Sequence, residues 1–89
     1  MPTRELSIVN KLGLHARAAS KFVTVASQFA SRITVAKDGR EVSGKSIMGV
    51  MMLAAARGST IRVSAEGEDA VEALGALDEL VADRFGESQ

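Results

Sequence analysis

Ile33-Thr34-Val35-Ala36-Lys37-Asp38-Gly39-Arg40-Glu41-Val42-Ser43 is the stretch on which the fold turns. Ile33 and Val35 open a strand, and Asp38-Gly39 is a two-residue hairpin signal, since both residue types tolerate the positive φ that a tight primed turn demands. Arg40 to Ser43 is the short return strand, so one pair of strands is antiparallel. The charges of Lys37, Asp38 and Arg40 then belong to a solvated turn.

Upstream, Leu6 and Ile8 alternate with Glu5, Ser7 and Asn10, which reads as a half-buried first strand. Lys11 to Leu14 is a loop with Gly13 as its flexible point. From Ala16 the period changes to that of a helix, with Ala19, Phe22, Val23, Ala26 and Phe29 on one side and Arg17, Lys21, Thr24 and Gln28 largely on the other. Downstream, Ser46 is a candidate N-cap for a second helix from about Ile47 to Ala56, closed by Gly58. Ile61, Val63 and Ala65 alternate with Arg62, Ser64 and Glu66 in a fourth strand, which Gly67 ends. Asp69-Ala70-Val71-Glu72 has capping-box form, with Asp in place of the usual Ser or Thr. Val71, Leu74, Leu77, Leu80, Val81 and Phe85 mark the buried stripe of a third helix, with Gly86 as its stop and a frayed charged tail beyond Phe85.

The order β-α-β-β-α-β-α predicts an α+β fold, an open-faced β-sandwich. Its four-stranded antiparallel sheet is covered on one face by three helices. Eighty-nine residues suit one domain over 1–89. Eleven basic and eleven acidic side chains cancel, so no bulk field points to nucleic acid or an anionic membrane. The absence of cysteine excludes disulfides and thiolate metal sites, and a single histidine disfavours a histidine-based one. No metal or cofactor is expected. The polar start, Thr3-Arg4-Glu5, does not resemble a signal peptide. The longest apolar run, Val50 to Ala56, is about a third of the roughly 20 residues of a membrane span. A cytoplasmic protein is the expectation.

The one histidine, His15, stands in Gly13-Leu14-His15-Ala16-Arg17, at the mouth of the first helix. A helix N-terminus attracts anions through unpaired N–H groups and a positive dipole end, and histidine can hold a covalent group. Together these suggest a histidine that carries a phosphoryl group, while position and chemistry alone leave a solvent-exposed histidine that merely precedes a helix as an equally open reading. No carboxylate near His15 in sequence offers itself as an orienting partner, which leaves a hydrolase triad without local support. Ser46 is first of all a capping serine. Ile47, Met48, Met51 and Met52 crowd flexible apolar surface into one short helix, of which Val50 and Leu53 are core residues.

Asn10-Lys11-Leu12-Gly13-Leu14-His15-Ala16-Arg17-Ala18-Ala19 resembles the active-site segment of the HPr family, the histidine-containing phosphocarriers of the bacterial phosphoenolpyruvate:sugar phosphotransferase system. Gly44-Lys45-Ser46-Ile47-Met48-Gly49-Val50-Met51-Met52-Leu53 resembles that family's regulatory serine segment. The resemblance implies that His15 accepts phosphate on Nδ1 from enzyme I and gives it to a histidine of an enzyme IIA domain. It implies that Arg17 steadies the phosphoryl group and that an HPr kinase/phosphorylase modifies Ser46. It further implies a docking face of Ala16, Ser20, Lys21, Lys45, Ile47, Met48 and Met51, with the lysines as a basic rim. Ala18 departs from the family's usual proline, which restores one N–H donor to the first turn. A monomeric carrier that is not itself an enzyme is the leading expectation. The alternatives are a regulatory protein of a nitrogen-type phosphotransferase branch and, more remotely, an independent hydrolase using His15.

Overall fold

The computed structural model describes residues 1–88. Its elements are β1 (Thr3–Ser7), α1 (Ala16–Ala26), β2 (Arg32–Lys37), β3 (Arg40–Ser43), α2 (Ile47–Met52), β4 (Thr60–Glu66), α3 (Ala70–Ala82) and a closing 3₁₀ turn, Arg84–Gly86. The sheet has the order β1-β4-β2-β3, and every adjacent pair is antiparallel. The open-faced sandwich is therefore the observed architecture.

Side-chain alternation sets the register. Leu6 faces Ile61, Val35 faces Val63 and Ile33 faces Ala65, so the apolar sets of β1, β4 and β2 share the inner face. A slip of one residue would turn each set toward water. Over this face, α3 packs against β1 and β4, α1 packs against α3 and α2, and α2 packs against β3. One core cluster joins strands and helices, with Phe22, Ile33, Ile61, Leu77 and Phe85 almost wholly buried. Each such side chain contributes about 1.5–3 kcal/mol by leaving water.

Several local details differ from the sequence pattern. Helix α1 ends at Ala26, and Phe29 packs against the core from the turn that follows. Helix α2 stops at Met52, because Ala54 takes a left-handed φ of 52°. Arg40 seals that end by donating to the Met52 carbonyl at 2.8 Å, and Lys37 pairs with Asp38 at 2.9 Å, while Asp38 and Arg40 stay exposed to solvent as the turn reading expects. The capping box at α3 does not form. Asp69 makes no side-chain bond to its own helix and instead accepts from Ala30 N at 2.8 Å, Ser31 N at 2.9 Å and the Ser31 hydroxyl. Val71 is 64 % exposed, and the buried stripe of α3 runs through Ala70, Ala73, Leu74, Leu77 and Val81, with Leu80 only partly covered. Phe85 is buried as expected, but from the 3₁₀ turn and with a left-handed φ of 55°.

Candidate functional site

The site begins with the loop between β1 and α1, which is tied to the segment after α2. Ile8 N donates to Ser59 O and Gly58 N to Ile8 O, each at 2.8 Å, while Leu14 N donates to Ala55 O at 2.9 Å. Gly13 has a φ of +66° and lies so close to this segment that a Cβ there would overlap the Ala55 carbonyl and sit 2.9 Å from Ala56 Cα. Only glycine meets both demands without strain. Asn10, wholly buried, braces the turn through its Nδ2, which donates to Gly13 O at 2.9 Å.

His15 is the N-cap of α1. Its backbone is extended (φ −72°, ψ 177°) and its carbonyl accepts from Ala19 N at 2.8 Å. The ring replaces the usual capping oxygen, with Nδ1 accepting from Arg17 N at 3.3 Å. The lone pair of Nδ1 therefore points at the N–H groups of the first helical turn. A group bonded there would meet the positive end of an eleven-residue helix.

The other ring nitrogen has a partner the sequence did not announce. Glu87 Oε2 lies 2.6 Å from His15 Nε2, and the two side chains are 14 % and 26 % exposed. Asn10 Nδ2 donates to Glu87 Oε1 at 3.0 Å. Since Nδ1 is an acceptor, the neutral ring carries its proton on Nε2 and donates it to Glu87. Burial pushes the Glu87 carboxyl up, but hydrogen bonds from His15 and Asn10, with Coulombic attraction to His15 and Lys21, outweigh it and leave the group below the ordinary glutamate value.

Glu87 comes from beyond Phe85, where the sequence pattern predicted fraying. That expectation is corrected. Phe85 plugs into the core, Glu87 N donates to Arg84 O at 2.9 Å, and Lys21 Nζ donates to Phe85 O at 2.6 Å. The tail is thereby fastened to α1 and laid beside His15. The expectation of no orienting carboxylate is overturned with it, because the partner lies 72 residues away in sequence.

Arg17, exposed on the first turn of α1, and Lys11 line an open hollow together with Leu12, Glu87 and Ser88. Leu12 is 67 % exposed, an apolar surface residue that loop-type sequence reasoning overlooked. Ala16 is exposed and Ser20 half-buried on α1. Ser46 is the N-cap of α2, its Oγ accepting from Gly49 N at 3.0 Å. Beyond it, Ile47, Met48, Met51 and Met52 are exposed, while Val50 and Leu53 are core, as the sequence pattern anticipated. The basic rim is more occupied than expected: Lys45 Nζ donates to Phe29 O at 2.7 Å, as Lys21 does to Phe85 O.

Residues 2–83 match the family model PTS-HPr, described as the PTS HPr component phosphorylation site. The phosphocarrier protein HPr of Cupriavidus necator is 51% identical over 89 residues, covering 100% of both chains. The phosphocarrier protein NPr of Shewanella violacea is 42% identical over 85 residues, covering 96% of this chain and 93% of its own. The crystal structure of HPr-C-His from Thermoanaerobacter tengcongensis superposes with a TM-score of 0.96 at 47% identity, with both chains fully covered.

Proposed function

This chain belongs to the PTS HPr family of phosphocarriers, and from that premise we propose that it accepts a phosphoryl group from phospho-enzyme I on His15 Nδ1 and passes it to enzyme IIA domains. The observation that carries the reading is the aim of Nδ1 at the N-terminus of α1, with Nε2 held by Glu87. In its neutral form such a ring is tautomerically set for attack through Nδ1.

Once transferred, the phosphoryl oxygens lie beside the first N–H groups of α1. Dipole stabilisation contributes about 0.3–1 kcal/mol at an exposed helix end. A charge-assisted hydrogen bond from Arg17 adds about 1.5–3 kcal/mol. Those magnitudes suit a carrier, since they tune the transfer potential without trapping the group. The chain works as a stoichiometric, monomeric relay in the cytoplasm, without turnover of its own.

Docking of both partners uses Ala16, Ser20, Lys21, Lys45, Ile47, Met48 and Met51. The exposed methionines support this, because flexible thioether side chains adapt to surfaces of different shape. Ser46 is the site for an HPr kinase/phosphorylase. A phosphate on a capping serine keeps the favourable helix-end field and adds about −1.5 to −2 charges to the face that partners meet.

Incubation with enzyme I and labelled phosphoenolpyruvate tests the reading. An acid-labile label that disappears in His15→Ala is the expected result, and no label in the presence of a competent enzyme I would overturn it. The similarity to an NPr protein favours a second reading, a regulatory carrier of a nitrogen-type branch. A panel of sugar-type and nitrogen-type enzyme I and IIA proteins separates the two by which pair exchanges phosphate faster.

A further inference from the structure

We propose that Glu87 is a positioning residue that keeps a proton on His15 Nε2 throughout the phosphoryl-transfer cycle, so that the ring leaves phosphorus as a neutral imidazole. The proposal rests on the reading of His15 as the carrier. It starts from a contact, 2.6 Å between Nε2 and Glu87 Oε2, and from the effort the fold makes to maintain it. Phe85 accepts a left-handed backbone, φ 55°, which is strained for a non-glycine residue. The buried ring, the Lys21 bond to Phe85 O and the Asn10 bond to Glu87 Oε1 all place the carboxylate at one point.

The chemistry of transfer makes that point matter. In the resting ring the lone pair is on Nδ1 and the proton on Nε2. Attack through Nδ1 on the phosphorus of phospho-enzyme I forms the Nδ1–P bond as the donor's own bond to phosphorus breaks and its bonding pair returns to the donor. The ring becomes an N-phosphoimidazolium, with the positive charge shared toward Nε2. On donation, an acceptor imidazole nitrogen attacks phosphorus, its N–P bond forms as Nδ1–P breaks, and the bonding pair returns to Nδ1. If Nε2 still carries its proton, the departing group is neutral imidazole. If Nε2 is bare, the departing group is an imidazolate, far more basic and a poorer leaving group. A carboxylate at hydrogen-bond distance favours the protonated, charged form of the phosphorylated ring. The other charges around this centre are Arg17 and Lys11 at the hollow and Lys21 at the Phe85 carbonyl.

The test uses the full chain, labelled with ¹⁵N at the histidine ring, as wild type, Glu87→Gln and Glu87→Ala. Glu87→Gln keeps the side-chain shape, so thermal unfolding of the three proteins identifies any general loss of structure. In the resting wild type the Nε2 resonance should be that of a protonated nitrogen and should move in Glu87→Ala. In the phosphorylated protein at neutral pH, Nε2 should stay protonated in the wild type and lose its proton in Glu87→Ala. Donation to an enzyme IIA domain should slow by about tenfold in Glu87→Ala and by less in Glu87→Gln, as expected for a group that orients a reacting ligand. Acceptance from phospho-enzyme I should change by less than about threefold, because Nδ1 still has its lone pair. Identical Nε2 states and donation rates within about twofold would overturn the proposal. If the wild type takes no phosphate, the carrier reading itself fails and the transfer step falls with it, while the resting spectra still report the Glu87 contact separately.

Discussion

Asp69 holds Ser31 through both of that residue's donors, the backbone N–H at 2.9 Å and the hydroxyl, and its second oxygen takes Ala30 N at 2.8 Å. One carboxylate thus fastens the turn between α1 and β2 to the start of α3. Gly67 lies against the same serine, where a Cβ would come within 2.8 Å of Ser31 Cα. The Ser31 hydroxyl is the leading cause of an Asp69 carboxyl below its ordinary value, helped by Ala30 N and opposed by burial.

Acid stability should report this clamp. A carboxylate held below its unfolded value binds fewer protons when folded, so its contribution is present above the unfolded value and is lost as pH falls through the folded one. Asp69 and Glu87 both have this sign. The expected outcome is a midpoint of unfolding that falls with pH in the acid range, and falls less steeply in Asp69→Asn. Thermal unfolding followed by circular dichroism across pH 2–6 checks it, and a slope unchanged by Asp69→Asn would remove Asp69 from the account.

Gly13→Ala should damage stability and phosphoryl acceptance together. Left-handed φ at a non-glycine residue costs about 1–3 kcal/mol when the surroundings enforce it. The added Cβ also presses on the Ala55 carbonyl, which anchors the loop bearing His15. Urea unfolding and enzyme I-dependent labelling measure the two effects on one protein.

Ser46→Ala should lose about 1 kcal/mol with the cap to Gly49 N. Ser46→Asp keeps a capping oxygen and should hold its stability, yet should accept phosphate from enzyme I more slowly. Equal rates for wild type and Ser46→Asp would count against regulation by charge at this position.

Ile61→Ala and Met48→Ala should separate fold from docking. Ile61 is fully buried, and truncation there should cost about 2–5 kcal/mol. Met48 is 70 % exposed, so its truncation should change stability by less than about 0.5 kcal/mol. The same change should raise the KM of enzyme I for this chain and leave kcat nearly untouched.

What could be read from the sequence, and what could not, divides by the distance between partners in the chain. The hairpin at Asp38-Gly39, the alternation in β4, the caps at His15 and Ser46 and the exposed methionines are set by neighbours a few residues away. Alanine at position 54 gives no sign of a left-handed stop, and Gly58 was the more legible candidate. Asp69 looked like a cap because Glu72 stands three residues on, whereas its real partner is 38 residues back. The candidate site followed the same rule. His15 and Arg17 were visible as a motif, while Glu87 joins them only when the whole chain has closed.

The strand order also bears on how this chain reaches its native state. β2 and β3 meet across a two-residue turn, but β1 must wait for β4, with Leu6 facing Ile61 and Thr3 facing Ser64. Pairings between residues so far apart close late, because loop entropy is lost before the contact forms. The loop that carries His15 continues from β1 and is secured by Ser59 and Ala55, on the approach to β4. His15 is therefore expected to acquire its setting late in folding. In a refolding experiment, competence for phosphorylation should rise with the slowest structural phase, which makes the histidine a reporter that the sheet is complete.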